Sequence, residues 1–292
     1  DKNVAVGYGS LRVATKATTA DTYNTAVGYN SGREVTSGEA NTILGAHAGD
    51  SITTGNHNIA IGYQALSAED AGQRSVAIGG FSLSSQNVDG LNYNVAVGYS
   101  AGAAVTTGIN NTIMGGLAGD ALVTGSYNVA LGYGALSAAD GSESKNVAIG
   151  ANSLAVLNND GDAFNVAVGY SSGASMTTGV SNILIGALTG DAITTGSENV
   201  VVGKSAAGRL TVGNYNTAIG HDALALSVDG DYNTAIGYKA LQQYEDGDGD
   251  GHNTAVGASS QLNATTGEFN TSLGGLSIGA GVTTGDSNTA LG

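Results

Sequence analysis

An acidic stretch near the end of the chain, EDGDGDGH at 245–252, has the composition of a metal-binding loop. Asp246, Asp248 and Asp250, followed by Gly251, match the first half of a calcium loop of the EF-hand type. The second half does not match, because Gly257 stands where such a loop places its bidentate glutamate. The pattern is compatible with weak calcium binding and with a solvated acidic loop, and the second interpretation is favoured. The sequence suggests no other cofactor.

The residues that could support catalysis are dispersed. The chain has four histidines, at positions 47, 57, 221 and 252, and none lies beside a recurrent serine or aspartate that would suggest a triad. Its glycines do not form a phosphate-binding loop before a helix. We therefore predict that the protein is not an enzyme.

Composition narrows the classes of partner. The net charge of −15 argues against nucleic acid, since binding phosphates requires clustered lysine and arginine. The apolar runs are too short for a membrane span, so no membrane insertion of this segment is expected. Proline is absent although glycine numbers 48 of 292 residues, which favours a structure built from hydrogen-bonded ladders.

A short motif, of which NTAIGYKAL at 233–241 is one copy, recurs seventeen times, most commonly as a 17-residue repeat. With the motif asparagine as position 0, position +4 is always glycine, +3 is always aliphatic or methionine, and +2 is mostly alanine. Serine replaces the asparagine in one copy, at Ser75. We expect a structural role for the recurrent residues, represented by Asn24, Asn41, Asn58, Asn94, Gly28, Gly45, Gly62, Gly98, Gly115 and Gly132.

The motif predicts a strand that ends in a glycine corner. Side chains at +1 and +3 share one face of a strand, and the glycine at +4 suits a positive φ or a close approach to the next coil. A 17-residue repeat is too short for a helical pair but fits one coil of a solenoid. The predicted fold is all-β, a parallel β-solenoid of about seventeen coils over residues 1–292, and we expect the segment to belong to a longer chain.

The strand is apolar on both faces, which bears on self-association. Strands of this kind are normally covered on both sides. Side chains at +1 and +3 are predicted to face the interior, and the alanine at +2 is predicted to face a second copy. This interpretation favours a parallel homotrimer, while a solitary solenoid with a water-facing alanine surface is the alternative.

Longer coils and tyrosines depart from the plain repeat. Extra residues enter at 11–23, 83–93, 154–164 and 241–252, and these loops are candidates either for recognition or for tolerated surface variation. A four-coil super-period appears over the first two-thirds of the chain. Twelve of the thirteen tyrosines occupy +5 or the position before the asparagine. Packing of these rings on their own neighbours is favoured over stacking on sugars.

The motif G-x-x-N-[TV]-A-[IV]-G-Y-x-[AS]-[LG] resembles the NTAIGY-type repeat arrays of phage tail fibres. It is also similar to the head repeats of trimeric autotransporter adhesins. The resemblance implies a homotrimeric fibre shaft on the virion surface, with other virion or tail proteins and a host cell-surface glycan or protein receptor as partners. The alternative is a bacterial trimeric adhesin on the cell surface.

Ice binding is a third hypothesis, from a different class. Threonines at +1, +12 and +13 could form ordered columns on a flat face. Threonine occupies +1 in only eight of the seventeen coils, however, and the longer coils are expected to disturb a lattice match.

Overall fold

The computed structural model describes residues 2–14, 21–138, 141–245, 250–278 and 284–292. These residues form strands, bends and turns, with no helix among them. The chain divides into two compact units, Asp1–Asn146 with Asp160–Asp162, and Val147–Asn159 with Ala163–Gly292.

Each unit is built from parallel strands. The first unit contains β1 Val4–Val6, β2 Thr25–Val27, β3 Thr42–Leu44, β4 Ile59–Ile61, β5 Gly72–Gln73, β6 Val76–Ile78, β7 Gly90–Leu91, β8 Val95–Val97, β9 Thr112–Met114 and β10 Val129–Leu131. The second unit contains β11 Val147–Ile149, β12 Val166–Val168, β13 Ile183–Ile185, β14 Val200–Val202, β15 Thr217–Ile219, β16 Thr234–Ile236, β17 Thr254–Val256, β18 Thr271–Leu273 and β19 Thr289–Leu291.

Seventeen of these strands, all but β5 and β7, coincide with positions +1 to +3 of the seventeen motif copies. Neighbouring copies within a unit pair in parallel with equivalent residues opposite each other, as in Val95↔Thr112. The longer coils keep this register, because Thr234 still pairs with Thr254 although the coil between them exceeds the usual repeat. The prediction of a parallel β-solenoid with a 17-residue period is confirmed, with about sixteen turns separating the first strand from the last.

The glycine at +4 meets both requirements that the sequence suggested. Gly45 has a φ of 132°, and a Cβ there would lie 2.6 Å from the carbonyl oxygen of Gly62 in the next coil. The other predicted glycines have φ values of 135° to 143°, apart from Gly62 itself at 132°. Any larger residue would therefore be strained and would also clash with the adjacent coil.

The motif asparagines form a buried ladder that ties each coil to the next. The main-chain N–H and Nδ2 of Asn111 donate to Oδ1 of Asn94 at 2.9 and 3.2 Å. Nδ2 of Asn111 also donates to the carbonyl oxygen of Gly125 at 2.9 Å, and its Oδ1 accepts from the N–H of Asn128 at 3.0 Å. One side chain thus satisfies main-chain groups in its own coil and in the next, which explains why the position tolerates little else.

Side-chain volume in the core alternates between coils. Ile113 at +2 is fully buried, and its Cδ1 occupies the space that a Cβ on Gly102 or Gly119, both at +8, would enter at 3.0 or 3.3 Å. Most other coils have alanine at +2, and several of these have a buried leucine at +8, as with Leu66. The large residue at +2 recurs at Ile43, Ile113 and Leu184, so the four-coil super-period is a packing pattern in the core.

Candidate functional site

The outward face of the strands carries the large apolar side chains of the motif. Alanines at +2 are fully buried inside the solenoid, as at Ala60 and Ala218. Side chains at +3 point outward instead, and Leu44 is 46% exposed while Ile185 is 40% exposed. The prediction that the alanine face is free for a partner is wrong, because alanine lines the interior and the +1 and +3 residues form the open face.

This outward face extends beyond the strands, since side chains at −1, +1, +3 and +5 all point away from the core. Aromatic rings at several −1 and +5 positions flank the aliphatic and threonine columns at +1 and +3, while exposed charged residues such as Arg74, Lys145 and Glu198 occupy −1 in other coils. In the first unit the exposed large side chains of this face include Tyr8, Tyr23, Tyr29, Leu44, Tyr63, Tyr93, Tyr99, Met114, Tyr127 and Tyr133. In the second unit they include Phe164, Tyr170, Ile183, Ile185, Tyr215, Ile219, Tyr232, Ile236, Tyr238, Phe269 and Leu273.

The flanking rings contact one another along the columns. In the second unit Tyr215 and Tyr232 stack with ring centroids 4.8 Å apart, and Tyr232 stacks on His252 at 4.8 Å. In the first unit a column runs from Tyr8 to Tyr99 with successive centroid distances of 5.3 to 6.4 Å. The prediction that the tyrosines pack on their own neighbours is confirmed for these pairs.

Small and large residues alternate within the column of the first unit. At Gly80, where +5 is small, the next residue, Phe81, fills the gap between Tyr63 and Tyr99. The ring column is therefore continuous from Tyr8 to Tyr99 across coils of different sequence. Contiguous apolar surface of this kind marks an interaction site in soluble proteins.

A polar cluster interrupts the core where the motif asparagine is missing. Nε2 of Gln86 donates to Oγ of Ser75 and to Oε2 of Glu69, both at 2.8 Å, and its Oε1 accepts from Nδ2 of Asn94 at 2.8 Å. The Gln86 amide thus takes the place of the absent asparagine amide in the ladder. The sequence alone did not predict that Gln86 replaces the missing asparagine amide. The available signal was Ser75, the only motif copy without asparagine.

Glu69 itself is fully buried in this cluster. Asn92 donates to its Oε2 at 3.0 Å, and main-chain N–H groups donate to its Oε1. Burial raises the pKa of the Glu69 carboxyl, and the hydrogen bond from Gln86 opposes that rise. The 83–93 loop therefore contributes Gln86 and Asn92 to the core, in addition to any role at the surface.

The acidic loop can be described only in part. Asp246 and Asp248 lie outside the described residues, so the calcium hypothesis stays a prediction. Asp250 is exposed, and its Oδ2 lies 3.9 Å from Nε2 of His252. Across the described ranges, no three histidine, aspartate or glutamate side chains group closely enough to hold a metal ion.

Three histidines have an acidic neighbour that the sequence spacing did not suggest. Nδ1 of His47 lies 3.0 Å from Oδ2 of Asp50, and Nδ1 of His221 lies 3.1 Å from Oδ2 of Asp222. His252 pairs with Asp250 as above. Each of these histidines also contacts an aromatic ring in the outward columns. The pairs thus belong to the flanks of the outward face.

The four long loops differ in how far they are described. The 11–23 loop is described except for 15–20, and the 83–93 loop contains β7, which pairs with β5. In the 154–164 loop, Asp162 forms a β-bridge with Ser144 and an ion pair with Lys145. In the 241–252 loop, Tyr244 is buried and Asp250 forms a β-bridge with Asp231.

Neither a protein-family model nor a curated protein matches the chain. In the part of the chain that the structure describes, no helix is long and apolar enough to cross a membrane.

Proposed function

We propose that the protein is the shaft of a viral tail or head fibre, in which three parallel copies associate through their outward faces and support attachment to a host cell surface. The observation that carries the proposal is the outward column of aliphatic side chains at +3, apolar in every copy and flanked by aromatic rings, on a hydrogen-bonded solenoid. Identical coils that stack in register present identical columns, so one copy offers another a matching surface along its length. In this proposal the protein acts without catalysis.

Stiffness is the second property that a shaft needs, and the ladders support it. Strands within each unit pair in register, and the asparagine side chains add buried hydrogen bonds between coils, as at Asn111 and Asn128. Bending would lengthen many of these bonds together. A bacterial surface adhesin built from the same coils would share these properties, and the two differ in where the assembly is attached.

The solution mass tests the self-association. Light scattering should give three times the chain mass of 28.6 kDa. Ile185→Lys should shift the protein toward the monomer, because it places a charge in the outward face. Val156→Lys is the matched control, since Val156 is also 40% exposed but lies outside the strands. A monomeric wild type would overturn the proposal, and a dimer would overturn the threefold arrangement.

One observation favours ice binding as a second candidate function. Five successive strands of the second unit begin with threonine, and these threonines stay in register although the coils between them differ in length: Thr217, Thr234, Thr254, Thr271 and Thr289. The longer coil between Thr234 and Thr254 does not interrupt this column, because Thr254 stays opposite Thr234. Thermal hysteresis of the purified protein would support this function, and its absence would remove it.

A further inference from the structure

A surface trough lies in the second unit, beside one flank of the outward face. It arises at position +9, where Gly208 and Ala225 are small while Asp191 and Gln242 at the same position close its two ends. These ends lie three coils apart, which is about 14 Å at the usual strand spacing. The trough has a volume of about 290 Å³.

The walls of the trough combine a cation with hydrogen-bonding and apolar groups. Arg209 and Asp222 contribute charged side chains, Ser205 contributes a hydroxyl, and Leu188 with Ala225 contributes apolar surface. Oδ2 of Asp222 lies 3.1 Å from Nδ1 of His221. The trough therefore combines apolar and polar lining residues, the usual composition of a small-ligand site.

Arg209 is unusual among the basic residues of this acidic chain. Six of the eight described lysines and arginines contact an acidic or aromatic side chain: Lys2, Arg12, Arg33, Arg74, Lys145 and Lys239. Lys204 and Arg209 make no such contact with any described residue. Both belong to the coil that contains Gly208, and of the two only Arg209 lines the trough.

The basic residues of the second unit are also few and close together. That unit contains only three, Lys204, Arg209 and Lys239, which all belong to three consecutive coils. Burial raises the pKa of the Asp191 carboxyl at the end of the trough. The lining holds two carboxylates, Asp191 and Asp222, and one guanidinium, so an anionic group can bind there only at Arg209.

We propose that the trough binds an acidic sugar, a saccharide unit that carries a carboxylate, as found in charged polysaccharides. A planar guanidinium without a protein partner recognises a carboxylate through two parallel hydrogen bonds. The hydroxyl groups of the sugar bind Ser205 and Asp191, and its apolar face packs on Leu188 and Ala225. The inference deepens the attachment function proposed above by naming the class of receptor.

The test uses ligand-observed NMR and calorimetry on the whole chain with three acidic probes: N-acetylneuraminate, D-glucuronate and D-galacturonate. D-Glucose and D-galactose serve as the neutral counterparts of the two uronates. At least one acidic probe should bind, at least tenfold more tightly than the neutral sugars. If none of the three acidic probes binds, or if neutral and acidic sugars bind equally, the proposal is overturned.

Two variants assign the binding to the trough. Arg209→Gln should weaken binding of the acidic probe about tenfold to one hundredfold, the range expected for loss of a hydrogen bond to a charged group. Lys204→Gln, which removes a neighbouring exposed cation outside the trough lining, should change binding by less than twofold. Equal losses in both variants would indicate general electrostatics and would also overturn the proposal.

A third variant fills the trough without changing its charge. Gly208 does not have a positive φ, and an added Cβ would lie 3.2 Å from the carbonyl oxygen of Ser205, so Gly208→Gln requires only a small adjustment. It should abolish binding while the solution mass stays unchanged. If the protein is a trimer but binds no acidic sugar, this inference alone is overturned. If it is a monomer that binds an acidic sugar through Arg209, only the proposed trimeric fibre is overturned.

Discussion

Replacing Gln86 by leucine removes three buried hydrogen bonds from the core of the first unit. The bond to the Glu69 carboxylate contributes about 1.5–3 kcal/mol, and the Ser75 hydroxyl, left buried without a donor, costs about 1–3 kcal/mol. Asn94 is affected less, because its Nδ2 still donates to the carbonyl oxygen of Gly108 at 2.7 Å. Leucine recovers part of the loss through apolar burial. We expect Gln86→Leu to lower the free energy of unfolding by about 3 kcal/mol.

Ser75→Asn provides the second arm of a double-mutant cycle. In the wild-type background the new asparagine amide competes with the Gln86 amide for the same space. The substitution should therefore lower the free energy of unfolding by about 1–3 kcal/mol. In the Gln86→Leu background the same substitution restores the regular ladder and should be stabilising. The two changes should therefore couple by about 2–3 kcal/mol, within the range for residues that share a hydrogen-bond network.

Native-state hydrogen exchange is the appropriate assay, because a stacked repeat protein opens locally and each coil contacts only its neighbours. The main-chain N–H of Val76 donates to the carbonyl oxygen of Asn94 at 2.8 Å, so its exchange rate reports on the stability of the cluster. The N–H of Thr25, in a coil distant in sequence, serves as the internal control. Additive effects within about 0.5 kcal/mol would refute the view that Gln86 replaces the missing asparagine.

Three further outcomes are expected. Gly45→Ala should lower the free energy of unfolding by more than about 3 kcal/mol, measured by urea denaturation, because the added Cβ would clash with Gly62. The control is Gly161→Ala, which has a φ of 109° and no atom within 4 Å of the added Cβ, and it should cost only about 1–2 kcal/mol of backbone strain. Ile113→Ala should cost about 3–5 kcal/mol in the same assay, since the two glycines that flank it cannot fill the cavity. Burial raises the pKa of Glu69 above its ordinary 4.5, so its contribution to stability should be greatest below pH 4.5 and should fall as the pH rises through the folded-state value. The wild type should therefore gain stability relative to Glu69→Gln as the pH is lowered from 8 to 4.5, and a constant difference over that range would contradict this.

The repeat itself could be predicted because its constraints are local. Alternation placed +1 and +3 on one face, and the glycine at +4 indicated the corner that the structure contains. Alternation does not say which face is interior, however, and apolarity alone placed the larger side chains there. The interior is narrow where consecutive coils stack, so alanine fits at +2 while a residue such as Ile43 fits only beside Gly32 and Gly49.

Features outside the motif could not be found by its regularity. Position +11 contributes a column of buried side chains, including Val105 and Leu122, but it lies in a turn with no alternating pattern. Glu69 and Gln86 occupy this same column, so a buried carboxylate appeared in the sequence as an ordinary surface residue. The trough was hidden for a different reason, since it depends on small residues that are adjacent only after four coils have stacked.

The pairing of a large +2 residue with two glycines has a consequence for how such a chain can change length in evolution. Ile43 and Ile113 each fit a space opened by glycines in their own and the preceding coil, and the pattern returns one four-coil block later. Loss of a single coil would place a bulky side chain against a leucine, or leave glycines facing alanine. Over the first two-thirds of the chain, loss or duplication of a whole four-coil block would keep each bulky +2 residue beside its two glycines. Recombination between blocks is therefore the tolerated event, and related proteins should differ in length by whole blocks of four coils.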